Sequence, residues 1–126
     1  MSEKLHIGIK GICNAVVGEK DTANAHGSGL IDVFATPAMV ALMEKAAHTS
    51  VQEFLAQNEV SVGSELQIKH IKATGPGKKV WAESLLTKIE GKKLYYEVSA
   101  FDEAGLIGKG HHIRYIVDVE NFMSKV

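Results

Sequence analysis

The sequence predicts an α+β protein in which one long central helix is wrapped by a five-stranded antiparallel sheet. Apolar residues follow a helical spacing from Pro37 to about Gln57. After that stretch the period changes from about 3.6 to 2, over four segments that three turn signals separate. Another alternating segment, Ile7 to Val17, precedes the helix. A helix that is apolar nearly all round has to be covered by a sheet, and these segments supply five strands.

Length and composition indicate a single domain spanning residues 1–126. The 126 residues are 45% hydrophobic, which is enough for one packed core. The 14 basic and 15 acidic residues are interspersed, so no stripe favours nucleic acid or an anionic membrane as a partner. The one cysteine, Cys13, excludes an internal disulfide framework and a cysteine-rich zinc site. Neither a signal peptide nor an apolar run of membrane-spanning length is present, and we expect a cytoplasmic location.

The boundaries of the central helix and of the other elements carry their own signals. Thr36 is a good N-cap, and Pro37 suits the first helical position because its missing N–H costs nothing there. The stretch 19–30 is rich in Gly, Asn, Asp and Ser, and is predicted to be a loop or a short turn of helix. The four later strands are predicted at 61–74, 79–89, 92–101 and 106–119, in an antiparallel meander, before a short terminal segment at 120–126.

One sheet covers only one side of such a helix. Part of the helix and one edge of the sheet would stay exposed in a monomer, and dimerisation covers both. We therefore expect a homodimer, and the sequence leaves open whether dimers pair into tetramers.

Two polar residues are out of phase with their apolar surroundings and are candidates for chemistry. Glu44 lies among apolar neighbours on the central helix, where a carboxylate costs several kcal/mol unless it is paired or protonated. His70 shares a strand face with Val62, Leu66 and Ile68, and this face is predicted to point toward the core. A Glu and a His that meet there can share a proton and shift each other's pKa into the range of acid–base catalysis.

Thr36 adds a hydroxyl at the helix start, where free N–H groups can stabilise an oxyanion or a phosphate. Each of the three residues also has a simpler explanation. Thr36 can be a cap and nothing else, His70 a core histidine with satisfied hydrogen bonds, and Glu44 a buried acid paired to Arg or Lys. Spacing alone does not choose between these interpretations.

Three separated segments resemble the hotdog-fold acyl-CoA thioesterases, and most closely the fluoroacetyl-CoA thioesterase family. They are VFATPAMVALMEKAA at Val33 to Ala47, VGSELQIKHIKATGPG at Val62 to Gly77, and GKGHHIRYIV at Gly108 to Val117. The resemblance implies a hotdog fold and a catalytic Thr, Glu and His, which fall on Thr36, Glu44 and His70. It also places the backbone of Gly63 and the side chain of Arg114 near the substrate, and we add Pro37 to these substrate-binding candidates.

The resemblance implies hydrolysis of an acyl-CoA thioester, with coenzyme A as part of the substrate and no separate cofactor or metal. The fluoroacetyl-specific enzyme has phenylalanines before the helix, whereas the matching residues 25–32 contain no aromatic. We therefore expect a short- or medium-chain acyl group. His111 and His112 are adjacent in a strand and face opposite sides, so that one is a surface residue and the other lies near the site. The lysines near strand ends that could meet the phosphates of coenzyme A are Lys78, Lys79, Lys92, Lys93 and Lys109.

Two other functions remain compatible with the sequence. A hotdog-fold hydratase or dehydratase would also use an acid and a His, but at the carbon next to the thioester. A non-catalytic acyl-CoA binding module would keep the fold, although an apolar acyl chain does not require a buried acid and base to bind it.

Overall fold

The structure, a computed structural model, describes residues 4–126. It contains the predicted long helix and a single five-stranded sheet whose paired strands are all antiparallel. In chain order the elements are β1 (Lys10–Val16), a 3₁₀ turn (Glu19–Asp21), α1 (Ala23–His26), α2 (Thr36–Gln52), β2 (Glu59–His70), β3 (Lys79–Glu90), β4 (Lys93–Asp102), β5 (Gly105–Asp118) and α3 (Val119–Met123).

The strand order is β1-β3-β4-β5-β2, which corrects the predicted meander of four strands. The meander holds for β3, β4 and β5, but β2 pairs with β5 at the far edge. The connection from β2 to β3 is too long for a hairpin and crosses the end of the sheet. Its path is held by Ile71 N to Ile107 O at 2.7 Å, Thr74 Oγ1 to Asp102 at 2.8 Å and Gly77 N to Val17 O at 2.7 Å.

The core lies between α2 and one face of the sheet. Six helix residues are buried there: Met39, Leu42, Met43, Ala46, Ala47 and Val51. The opposite side of α2 is exposed at Ala41, Lys45 and Thr49. The sheet therefore covers one side of the helix, as the sequence predicts.

The helix differs from its predicted bounds at both ends. Ala35 is the N-cap, so that Thr36 is the first helical residue and Pro37 lies one position later, still within the first turn. The helix ends at Gln52 and not near Gln57. Phe54 and Leu55 pack against the core, which requires the chain to turn back after Val51, and Phe54 N bonds Val51 O at 2.9 Å.

A β-bulge in β2 changes which residues face the helix. The register against β5 shifts between Gly63 and Glu65, so Ser61 and Gly63 share the inner face with Leu66, Ile68 and His70. The prediction for His70 is correct in direction, whereas Val62 was assigned to the wrong face. An extra residue in a strand reverses the alternation on one side of it, and a period of 2 cannot reveal that.

The other strands lie close to their predicted bounds, with β1 and β2 shorter. β1 begins at Lys10 and not at Ile7, since Gly8 has a φ of 96° that breaks the extended conformation. β2 ends at His70, where the long connection begins. Among residues 4–126, no helix is both long and apolar enough to cross a bilayer.

We expect Gly110→Ala to destabilise the fold strongly. A Cβ at this position in β5 would collide with the carbonyl oxygen of Gln67 and lie 2.7 Å from Ile68 Cα, both parts of the β2 backbone. Forcing an atom into a packed site costs about 1–3 kcal/mol or more. The free energy of unfolding, measured by urea titration, should fall by about 3 kcal/mol or more, the upper end of this range, because the atoms in the way belong to the backbone.

Gly75→Ala is the matched control, because a Cβ there meets no heavy atom within 4 Å. Equal stability of the two variants would contradict the close approach of β2 and β5 at Gly110.

Candidate active site

Thr36 and His70 form a hydroxyl–imidazole pair at one end of the molecule. Thr36 Oγ1 lies 2.8 Å from His70 Nδ1. His70 is the last residue of β2, and Thr36 is the first residue of α2. Since Ala35 takes the N-cap position and no side chain caps the helix, the predicted capping role of Thr36 is wrong. Its hydroxyl is bound to the imidazole instead.

The imidazole of His70 is held in an apolar setting. Phe34 contacts it edge-on, with ring centroids 6.5 Å apart. Burial lowers the pKa of His70 from the usual 6.5, and the backbone of Lys72 offsets part of that shift. Nε2 is buried and has no hydrogen-bond partner among residues 4–126. His70 is therefore neutral at pH 7.

The pair opens on a cleft of about 330 Å³. The cleft lies between the segment that precedes α2 and the connection that follows β2. Its lining includes Ala23, Ser28, Val33, Phe34, Thr36, His70 and Lys72. A small ligand in this cleft would contact both the hydroxyl and the imidazole.

Glu44 lies further along α2, eight residues after Thr36, or about 12 Å at 1.5 Å per residue. Its side chain is 39% exposed, and its partner is Arg114, with Nη1 3.4 Å from Oε2. Within the described chain no hydrogen bond or ion pair joins Glu44 to His70. The carboxylate is therefore not dry as predicted, and within one chain it pairs with Arg114 and not with His70.

Arg114 is the centre of a second cluster, on β5. Only 6% of the residue is exposed. Its Nε donates to Ser61 Oγ at 2.7 Å, its Nη2 to Ser61 O at 2.8 Å, and its Nη1 to His112 Nε2 at 3.1 Å and to Glu44. Burial lowers the pKa of Arg114, and Glu44 opposes that shift. A guanidinium is charged throughout the ordinary pH range, so the cluster carries a buried positive charge.

Gly63 closes this cluster from the β2 side. A Cβ at this position would lie 2.7 Å from Glu44 Oε2 and 3.3 Å from both Arg114 Nη1 and His112 Cε1. Any larger residue would displace the carboxylate. The structure thus brings together Glu44, Gly63 and Arg114 in one group, and Thr36 with His70 in another, with Pro37 beside the second group in the first turn of α2.

Ser61 and His112 are the site residues that sequence reasoning undervalued. Ser61 was assigned no role, because the bulge that turns it inward leaves no signal in the alternation. One of His111 and His112 was expected near the site; His112 is 2% exposed, while His111 is exposed on the opposite face. Alternation along β5 puts His112 and Arg114 on one face, which was the available signal.

Within residues 4–126, no group of three His, Cys, Asp or Glu side chains is arranged to hold a metal. A separate concavity of about 830 Å³ lies on the sheet face opposite α2 and includes none of Thr36, Glu44 and His70. Its polar lining comes from Gln67, Lys69, Glu97, Ser99, Lys109 and His111.

The five candidate lysines for coenzyme A phosphates differ in their surroundings. Lys92 pairs with Glu59 at 2.9 Å, and Lys93 lies over the ring of Tyr95 at 5.0 Å. Lys78 lines a cavity of about 300 Å³ that shares Lys72 with the cleft at His70. Lys78 therefore lines a cavity that adjoins the cleft of the hydroxyl–imidazole pair.

Comparisons with known proteins agree with these observations. The family model described as fluoroacetyl-CoA-specific thioesterase, FlK, matches residues 17–120. The fluoroacetyl-CoA thioesterase of Streptantibioticus cattleyicolor is 39% identical over 95 residues, which are 75% of this chain and 68% of that protein.

Solved structures show the same fold. A crystal structure of a point mutant of the fluoroacetyl-CoA-specific thioesterase FlK superposes with a TM-score of 0.92, at 32% identity, over 98% of this chain and 96% of that one. A hot-dog-like protein from Thermanaerovibrio acidaminovorans superposes with a TM-score of 0.85, at 20% identity, over 94% and 88% of the two chains. The chain therefore has the hotdog fold and belongs to the fluoroacetyl-CoA-specific thioesterase family.

Proposed function

We propose that this protein hydrolyses a short- or medium-chain acyl-CoA thioester to the free acid and coenzyme A, with Thr36, Glu44 and His70 as the catalytic residues. Its membership of a thioesterase family supports the reaction class. The observation that carries the residue assignment is the bond of Thr36 to a neutral imidazole that borders a cleft of about 330 Å³. A carboxylate held by a buried guanidinium supplies the third group.

We infer the class of acyl group from residues 25–32, the segment that borders the cleft. The relatives act on fluoroacetyl-CoA by their names. Here the segment contributes Gly27, Gly29 and Leu30, and Leu30 is 94% exposed. Without an aromatic residue in that segment, we assign no selectivity for fluorine.

The proposed reaction begins with the thioester carbonyl near the start of α2. The N–H groups of the first turn, together with the N–H of Gly63 from the protomer that supplies Glu44, stabilise the negative charge that develops on the carbonyl oxygen. Glu44 either attacks the carbonyl carbon to give an anhydride or takes a proton from the attacking water. In the anhydride route, water then hydrolyses the anhydride. In either route the neutral imidazole of His70 accepts a proton that the attacking water releases, and it returns this proton to the coenzyme A thiolate after the C–S bond breaks. Thr36 holds the imidazole in position through Nδ1.

This reaction needs Glu44 and His70 closer together than they lie in one chain. A homodimer would bring His70 of one protomer close to Glu44 of the other. β2 is an edge strand of twelve residues, and an edge strand of that length invites pairing. Antiparallel pairing of two β2 strands by a two-fold axis would also set the two α2 helices antiparallel. The start of one helix would then approach the middle of the other, so that Thr36 and His70 of one protomer face Glu44 of its partner.

Thiol release from a panel of acyl-CoA substrates tests the proposed reaction, and Glu44→Gln tests the carboxylate. The variant keeps the size of the side chain and removes its charge, so kcat should fall by about 10²–10⁴-fold. Lys45→Gln, on the exposed side of α2, is the matched control and should leave kcat unchanged.

Wild-type activity in Glu44→Gln would exclude the assigned carboxylate. Enoyl-CoA hydration without thiol release would favour the hydratase. Binding of acyl-CoA without either reaction would favour the binding module.

Mixing two inactive variants tests the division of the site between protomers. A heterodimer of Glu44→Gln and His70→Ala chains retains one site with an intact His70 from one chain and an intact Glu44 from the other. Random exchange of subunits should restore about a quarter of the wild-type activity. Mixing Thr36→Ala with His70→Ala is the control and should restore nothing, because both changes damage the same half of the site. No recovery in the first mixture would mean that each chain holds a complete site or that the chains do not dimerise.

The activity should fall as the pH decreases below 6.5. Burial lowers the pKa of His70 from that value, so the neutral imidazole predominates above it and protonation removes the acceptor at lower pH. The measurement is kcat against pH for the wild type and for His70→Ala. The variant should be slower, and its residual rate should depend less steeply on pH. An identical acid limb in both proteins would exclude the acid–base role of His70.

A further inference from the structure

We propose that His112 is a positioning residue for this reaction: as the neutral Nδ1–H tautomer it holds the guanidinium of Arg114, and through it the carboxylate of Glu44. The proposal rests on the proposed function for its catalytic consequence, whereas the hydrogen-bonded arrangement itself is independent of it.

The tautomer of His112 follows from its two partners. Nδ1 lies 2.8 Å from the carbonyl oxygen of Glu65, which can only accept a hydrogen bond, so Nδ1 carries the proton. Nε2 lies 3.1 Å from Arg114 Nη1, which can only donate, so Nε2 presents its lone pair. Both nitrogens are thus satisfied in one protonation state, and neither the other tautomer nor the imidazolium fits.

The orientation of Arg114 depends on that lone pair. Ser61 holds one edge of the guanidinium, through Nε and Nη2. The other edge, at Nη1, has two acceptors, His112 Nε2 and the longer contact of 3.4 Å to Glu44. Without the acceptor at His112, a donor of a buried cation would be left unpaired, and the guanidinium would turn to recover the bond. Glu44 is partly exposed and has no other cation within salt-bridge distance among residues 4–126, so it would follow.

The charged and polar groups that face His112 belong to α2, β2, β4 and β5. Arg114 on β5 and Glu44 on α2 are charged, and β2 contributes the Glu65 carbonyl. On β4 the ring of Tyr96 stacks on the imidazole with centroids 6.0 Å apart, and burial raises the pKa of its phenol to about 12, so it stays neutral.

Burial lowers the pKa of His112 below 6.5, with Arg114 adding to that shift and the Glu65 carbonyl and Glu44 opposing it. The imidazole is therefore neutral at pH 7. Protonation in acid would place an N–H of a second cation against Arg114 Nη1 and break the arrangement.

Nuclear magnetic resonance of the full chain with ¹⁵N-labelled histidine tests the tautomer directly. The ring of His112, assigned by its loss in His112→Gln, should show a protonated Nδ1 and an unprotonated Nε2 at pH 7. An Nε2–H tautomer or an imidazolium at pH 7 would overturn the proposal. This readout needs no activity, so it stands even if no acyl-CoA is hydrolysed.

Two substitutions separate the two hydrogen bonds of His112. Gln can place an acceptor near the position of Nε2, whereas Asn keeps a donor near Nδ1 and provides no acceptor for Arg114. We expect His112→Asn to lose on the order of 10²-fold in kcat with little change in KM, and His112→Gln to recover most of that loss. His111→Gln, on the exposed face of the same strand, is the control and should match the wild type.

Wild-type kcat in His112→Asn would overturn the positioning role, as would equal losses in the Asn and Gln variants with both proteins folded. If either variant unfolds, the tautomer in the wild type decides the question. Absence of thiol release from the wild-type protein would count against the proposed function and not against the tautomer.

Discussion

The position of Glu44 depends on the hydrogen bonds and the ion pair of the buried Arg114 guanidinium. It joins β5 to Ser61 on β2 through two hydrogen bonds of 2.7 and 2.8 Å and reaches Glu44 on α2. Removing a charge of this kind from water is costly unless its donors are paired. The partners come from three elements, so the cost is met only when those elements are in their native positions. The position of the carboxylate is thereby tied to the packing of the sheet.

Two local departures from regular structure shape the two groups of polar residues. The bulge in β2 turns Ser61 inward and leaves Gly63, which has no side chain, against Glu44. The helix begins at Thr36 without a side-chain cap, which leaves the Thr36 hydroxyl to bond His70. The side chain of Ser61 is thereby free to bond Arg114, and the side chain of Thr36 is free to bond His70.

The two groups of polar residues lie at separate points along one helix, and this separation is the main constraint on function. Thr36 and His70 share a neutral hydrogen bond in a cleft, while Glu44 belongs to the charged cluster. A long edge strand lies beside both groups. This exposed edge is the reason why we propose that two protomers pair there and complete the site between them.

The sequence by itself determined the α+β class, the central helix, the number of strands, the inward direction of His70 and the family, because periodicity and motif order are properties of the chain. Only the tertiary structure decided that β2 joins β5, that Ser61 replaces Val62 on the inner face, and that Glu44 pairs with Arg114 and not with His70. Strand order and a bulge depend on long-range pairing, which leaves no local pattern. The partner of a carboxylate likewise depends on which distant side chains the packing brings within a few ångströms.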